Sequence, residues 1–222
     1  MKKLEHDLEE LRNQVIAMGN LTESMINAAI AVLIDYSEER VATIIENESI
    51  LDQKQLDIDQ EAIRILTVYS PVAADLRLVL SVNRITAELE RIGDHAVNLC
   101  ENIQLMMSKT DSRPLTELKN MSNVVCGMIS DALDSFSQQN SRKAKETIAK
   151  DDLVDALNDQ IIETLLSDEV VKKALVGPTD IAGNMAQILI ARSFERIADQ
   201  CTNICEEVVY MVKGTDIRHA ET

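Results

Sequence analysis

Glu90-Arg91-Ile92-Gly93-Asp94-His95-Ala96-Val97-Asn98-Leu99-Cys100-Glu101 recurs 105 residues later as Glu195-Arg196-Ile197-Ala198-Asp199-Gln200-Cys201-Thr202-Asn203-Ile204-Cys205-Glu206, with seven of the twelve positions identical. Self-similarity at a fixed offset is the mark of a repeated structural unit. Both copies lie in long amphipathic stretches. Around the first, Leu78, Val82, Ile85, Leu89, Ile92, Ala96, Leu99, Ile103 and Met106 step four and three residues alternately. Around the second, Ile190, Phe194, Ile197, Cys201, Ile204, Val208 and Met211 keep the same phase. That spacing lines one face of an α-helix, so each copy is the seam of a long helix in a bundle.

Outward from these two helices, the rest of the chain reads the same way. Leu4, Leu8, Leu11, Val15, Met18, Thr22, Met25, Ala29 and Val32 predict a helix over 3–35. Ser37 can cap a second helix that runs to Tyr69 with the seam Leu51, Ile58, Ala62, Ile65, until Ser70-Pro71 breaks it. The third helix spans 72–107. Pro114 is expected at the first position of a fourth helix reaching Gln139. A fifth starts at Asn140-Ser141, with a kink near Ser167-Asp168 and an end at Gly177-Pro178, and a sixth runs to Lys213, stopped by Gly214. The expected fold is all-α: six long helices as two similar three-helix bundles, over 1–110 and 114–214, with a frayed tail at 215–222.

Composition agrees. The 222 residues include 6 Gly, 3 Pro, 2 Phe and no Trp, too few turn and strand formers for a sheet protein. The net charge of -16 argues against a nucleic-acid partner, which needs clustered Lys and Arg, and against direct docking on anionic lipid. It is compatible with cation binding. The N-terminus lacks a signal-peptide pattern, and no apolar run approaches the ~20 residues that span a bilayer, so a cytoplasmic chain with reduced cysteines is expected.

The carboxylates carry the functional signal. Glu90 and Asp94 stack at i, i+4 with Asn98 beyond them, on the side of the helix opposite its seam; Glu195, Asp199 and Asn203 repeat this. On the preceding helix of each half, Glu48 and Asp52 match Asp151 and Asp155, with Asp59 further along the second helix. Like charges at i, i+4 repel, and an ordinary solvated helix alternates signs instead. Four carboxylate–carboxylate pairs at equivalent places suggest a positive species between neighbouring helices: a hard cation on oxygen ligands. Read blandly, these are only solvated helix faces. The three histidines do not form the Glu-x-x-His pairs of di-iron bundles, and Cys201 sits in a seam as a small hydrophobe.

Pro71-Val72-Ala73-Ala74-Asp75-Leu76-Arg77, followed by Leu89 to Asn98, together with the second copy Phe194 to Asn203, resembles the PhoU family of bacterial phosphate-signalling regulators across nearly the whole chain. The second half departs from the pattern at Gly177-Pro178-Thr179 and at Asp180-Ile181-Ala182, which stands where the first has Asp75-Leu76-Arg77. The resemblance implies two three-helix bundles with pseudo-twofold symmetry and no enzymatic activity. It implies metal, iron or zinc before magnesium or manganese, on Glu48, Asp52, Glu90 and Asp94 in one half and Asp151, Asp155, Glu195 and Asp199 in the other. As partners it implies a sensor histidine kinase and the ATPase of a phosphate ABC transporter, with the membrane reached only through them, and a homodimer or higher homo-oligomer. The rival expectation is a metal-storage or redox bundle unrelated to phosphate signalling.

Overall fold

The computed structural model describes residues 2–107, 113–167 and 181–218. Among them are seven helices and no strand: α1 Lys2–Ile34, α2 Glu38–Tyr69, α3 Ala73–Met107, α4 Thr116–Ser137, α5 Ser141–Ile148, α6 Asp151–Leu165 and α7 Ile181–Lys213. Most of the polar break expected between the halves at 108–113, Asp168 of the expected kink at Ser167-Asp168, Gly177-Pro178, Asp180 and the end of the tail at 219–222 lie outside the described residues.

α1, α2 and α3 pack on one another as one bundle, and α4 to α7 form the other. The halves meet chiefly through α3 against α7, the most extensive helix pair, and through α1 against α4. The expected seams are the core: in α3 every seam residue from Leu78 to Met106 is buried, and in α7 so is every one from Ile190 to Met211. α3 must serve α1, α2 and α7 together, so its buried arc is wider than one seam. A second stripe, Val79, Thr86, Gly93 and Cys100, steps by seven and is buried as well. Thr22 is the polar member of the α1 seam; its hydroxyl donates to the carbonyls of Met18 at 3.1 Å and Leu89 on α3 at 3.4 Å, so it is buried without an unmet donor.

Three boundaries behave as the residues predict. Ser37 caps α2 by accepting from Arg40 N. Asn140 caps α5 by accepting from Arg142 N and Lys143 N. Gly214 takes the left-handed φ of 71° that ends α7.

Two boundaries differ. Pro114 precedes the cap of α4 instead of occupying its first turn, because Leu115 is extended (ψ 150°) and its N–H donates to Gln187 Oε1 of α7 at 2.9 Å. The fifth predicted helix is divided at Ala149–Lys150, where bonding tightens to i−3: Lys150 N donates to Thr147 O and Leu153 N to Lys150 O. Lys150 there turns its ammonium onto Asp131 of α4, an ion pair that a continuous helix pattern does not disclose. The tail is held as far as Arg218, which donates to Glu207 at 3.2 Å.

α1 contains an 18-residue window of mean hydropathy 1.4, enough by length and composition to cross a bilayer, contrary to the expectation that no stretch would be. Within the fold its apolar residues serve the core: Leu11, Val15, Met18 and Met25 are all fully buried.

Candidate metal centre

Close approach of α2 to α3 is what places the first carboxylate group. Gly93 is the hinge of that approach: a Cβ there would lie 2.2 Å from Leu51 Cδ2. Without a side chain at 93, Leu51 packs onto α3, and Asp52, the next residue, comes beside Glu90 and Asp94. Glu90 is half-buried and its carboxyl is pushed above the usual range, first by burial and then by the charges of Asp94, Asp52 and Glu48. Burial also raises Asp94, with Asp52 adding to it. So all four carboxylates expected in this half share one electrostatic neighbourhood.

The second half repeats the pattern between α6 and α7. Burial raises Glu195, followed by Asp199 and Asp155. It also raises Asp199, followed by Asp155. Asp151 is pushed up to about 6 by burial and then by Asp199 and Asp155. The two copies match residue for residue in exposure: Glu48, Glu90, Asp151 and Glu195 are half-buried, whereas Asp52, Asp94, Asp155 and Asp199 are exposed.

The two asparagines do not stand where their spacing predicts. Each i, i+4 step advances about 40° around a helix at ~100° per residue, so a three-residue ridge does not stay on one face. Asn98 has turned toward α7, and Asn203 donates to Glu88 on α3 at 3.3 Å. Neither asparagine belongs with the carboxylates of its own half. Nor do Glu90 and Glu195 point simply away from the core; they are partly desolvated against α2 and α6.

Sequence reasoning missed Asn158. It is buried on α6, its Nδ2 donates to Glu195 Oε2 at 3.0 Å, and its Oδ1 is buried with no partner. Its position three residues after Asp155 put it on the same helical face, which was the available signal. Asp59 is half-buried with one carboxyl oxygen unpartnered, and burial raises it.

Among the described residues no three His, Cys, Asp or Glu side chains converge into a group that holds a metal as placed. The donor set nevertheless fits a hard cation in chemistry: oxygens only, on adjacent helices, mutually repelling and partly stripped of water. Glu48, Asp52, Glu90 and Asp94 are the residues that would hold one ion, and Asp151, Asp155, Glu195 and Asp199 another. The thiols are poorer ligands, since burial pushes Cys100 and Cys126 up to about 11 and Cys205 to about 12.

A pH dependence follows from Asp151. Its folded pKa lies above the usual carboxylate value, so the folded chain holds that proton more tightly than the unfolded chain does. Its contribution to stability therefore grows as pH falls from about 6 toward 4 and is absent above 6. In chelator-treated protein, the melting temperature of the wild type relative to Asp151→Asn should rise between pH 7 and pH 5. A flat difference would show that Asp151 is solvated.

A family model described as "PhoU domain" matches residues 15–103 and again 118–208. The phosphate-specific transport system accessory protein PhoU homolog of Clostridium acetobutylicum is 33% identical over 97% of this chain and 97% of its own. The phosphate-specific transport system accessory protein PhoU of Escherichia coli strain K12 is 32% identical over 96% of this chain and 86% of its own. The crystal structure of PhoU from Pseudomonas aeruginosa superposes with a TM-score of 0.86 at 32% identity, covering 95% of this chain and 99% of that one. That of the phosphate transport system regulatory protein PhoU from Streptococcus pneumoniae gives 0.85 at 26% identity, covering 96% and 99%.

Proposed function

The chain belongs to the PhoU family, and from that membership we propose that it regulates phosphate transport as a non-enzymatic, cytoplasmic accessory of a phosphate ABC transporter. In this reading it contacts the transporter's ATPase and a sensor histidine kinase, restrains uptake, and keeps the phosphate regulon repressed when phosphate is plentiful. The observation that carries the proposal is end-to-end similarity: both repeats match, and relatives named as accessory proteins of phosphate-specific transport align over nearly the whole chain. The site chemistry is compatible. Its titratable groups are grouped as carboxylates with carboxylates, an oxygen ligand set that a cation would neutralise.

Metal belongs to the proposal as a structural element. Bound to the two carboxylate groups, iron or zinc would supply positive charge that offsets the repulsion and ties α2 to α3 and α6 to α7. Magnesium or manganese would serve the same electrostatic purpose, magnesium while keeping several of its waters. Neutralised ridges would then present the partner with a less acidic surface.

The direct test is binding. Purified chain is titrated against the transporter ATPase and against the cytoplasmic portion of the sensor kinase. Saturable association with at least one is expected. If bare ridge carboxylates face a basic partner, raising salt should slow association; if metal neutralises them first, the salt dependence should be weak and chelator-sensitive. No association of the folded chain with either partner would contradict the proposal.

A further inference from the structure

The α3–α7 interface carries two related hollows, and they differ in one respect that has a chemical consequence. One is lined by Arg84 and Glu88 of α3, Asn203, Glu206 and Glu207 of α7, and Arg218. Its cations are matched by the chain's own carboxylates. Glu207, almost fully buried, accepts from Arg84 at 2.9 Å and from Arg218 at 3.2 Å, and also from the Ser81 hydroxyl. Glu88 takes Arg91 at 2.9 Å and the amide of Asn203.

The other hollow, of about 280 Å³, lies between His95, Asn98 and Asn102 of α3 and Leu189, Arg192, Ser193 and Arg196 of α7. The 105-residue repeat relates the two sites position by position: Asn98 answers to Asn203, Leu189 to Arg84, and Arg196 to Arg91. Of its three acids, Glu206 answers to Glu101, which does not line the second hollow, and the other two have no acidic counterpart. Where the first hollow has Glu88 the second has Ser193, and where the first has Glu207 the second has Asn102. The cation lost where Leu189 replaces Arg84 is restored three residues on by Arg192, in place of Ala87.

Arg192 and Arg196 stand one turn apart on the same helix face. Among the described residues neither guanidinium forms a hydrogen bond or an ion pair. They act on Glu195, and Arg196 also on Asp199, only through space. His95 Nδ1 is buried in the same wall with no partner.

We propose that this hollow between α3 and α7 binds a small oxyanion of the phosphate class, which takes the place of the carboxylates that the repeat supplies in its twin. Guanidinium forks match tetrahedral oxyanions through paired charge-assisted hydrogen bonds. The volume falls just short of the roughly 300–1,000 Å³ usual for drug-sized ligands, so a single phosphoryl group with some water fits better than a nucleotide. The proposal stands on the cavity and the repeat, and does not depend on the transport reading above.

The test is isothermal titration of the full chain with inorganic phosphate at low salt, with phenyl phosphate, sulfate and acetate in parallel. One-to-one binding of phosphate is expected. Arg192→Gln and Arg196→Gln should each weaken it about tenfold or more, as loss of a charge-assisted bond does. Arg84→Gln, in the twin hollow, should change it less than about twofold, because its effect is remote from the site. Asn102→Glu, which installs the missing acid, should abolish binding. Circular dichroism checks that these variants keep their helices. Phosphate favoured over phenyl phosphate would identify the free ion as the natural source, and the reverse a phosphorylated molecule. No heat at millimolar phosphate, unchanged affinity in both arginine variants, or equal loss in Arg84→Gln would overturn the proposal.

Discussion

Replacing Ile92 by Asp should move unfolding to a much lower urea concentration than the wild type needs. Ile92 is fully buried in the seam of α3, the helix that α1, α2 and α7 all pack against. An aspartate there either buries a charge with no partner or takes up a proton to avoid it, and both routes cost free energy. A loss of more than about 4 kcal/mol is expected, against a total stability on the order of 5–15 kcal/mol for a protein domain. Ile197 holds the equivalent place in α7 and is equally buried, so Ile197→Asp should cost as much. Ile50→Asp is the control, since that isoleucine is 49% exposed on α2; it should change stability by less than about 0.5 kcal/mol. Urea titration followed by helical circular dichroism reads all three. Wild-type stability in either seam variant would sink the two-bundle account.

The second large effect concerns the carboxylate groups. Asp94→Asn with Asp199→Asn should reduce metal affinity by more than about 100-fold, because it removes a charged oxygen ligand from each half when changes beyond the ligands already cost 10–100-fold. The fold should persist, since both aspartates are exposed. In metal-free protein the same changes should slightly raise stability, as they relieve the repulsion that lifts Glu90 and Glu195. Metal content of protein purified without chelator, followed by titration with zinc or ferrous ion, measures this. A wild type that carries no metal and takes up none, or a variant that binds as well as the wild type, would reduce the ridges to solvated helix faces.

Periodicity disclosed the fold because burial in a helical bundle is written as spacing. Thr22 was legible as a core position from its place in the α1 seam even though it is polar. The second stripe of α3 was harder to read. Val79, Thr86, Gly93 and Cys100 step by a plain seven, and only the knowledge that α3 has three neighbours makes that stripe necessary. The break between α5 and α6 was not legible. Ala149 and Lys150 are both good helix formers, so nothing in their types marks the break, and the pairing of Lys150 with Asp131 depends on an element distant in sequence. At the candidate site, residue type and repetition singled out eight carboxylates, and the structure sets them in two mutually repelling groups. Their i, i+4 spacing grouped Asn98 and Asn203 with them, but the drift of about 40° at each step carries both asparagines into the interface between α3 and α7. Asn158 was overlooked because an amide in a helix carries no charge to draw notice; its role depends on Glu195 arriving from another element.

The central claim, that this chain restrains phosphate uptake and signalling, is tested most directly by a phosphate-regulon reporter in a strain lacking the gene, grown with abundant phosphate. The account predicts that expression rises in the deletion strain and returns to the repressed level when the wild-type chain is supplied. Unchanged expression, together with unchanged phosphate uptake, would contradict it.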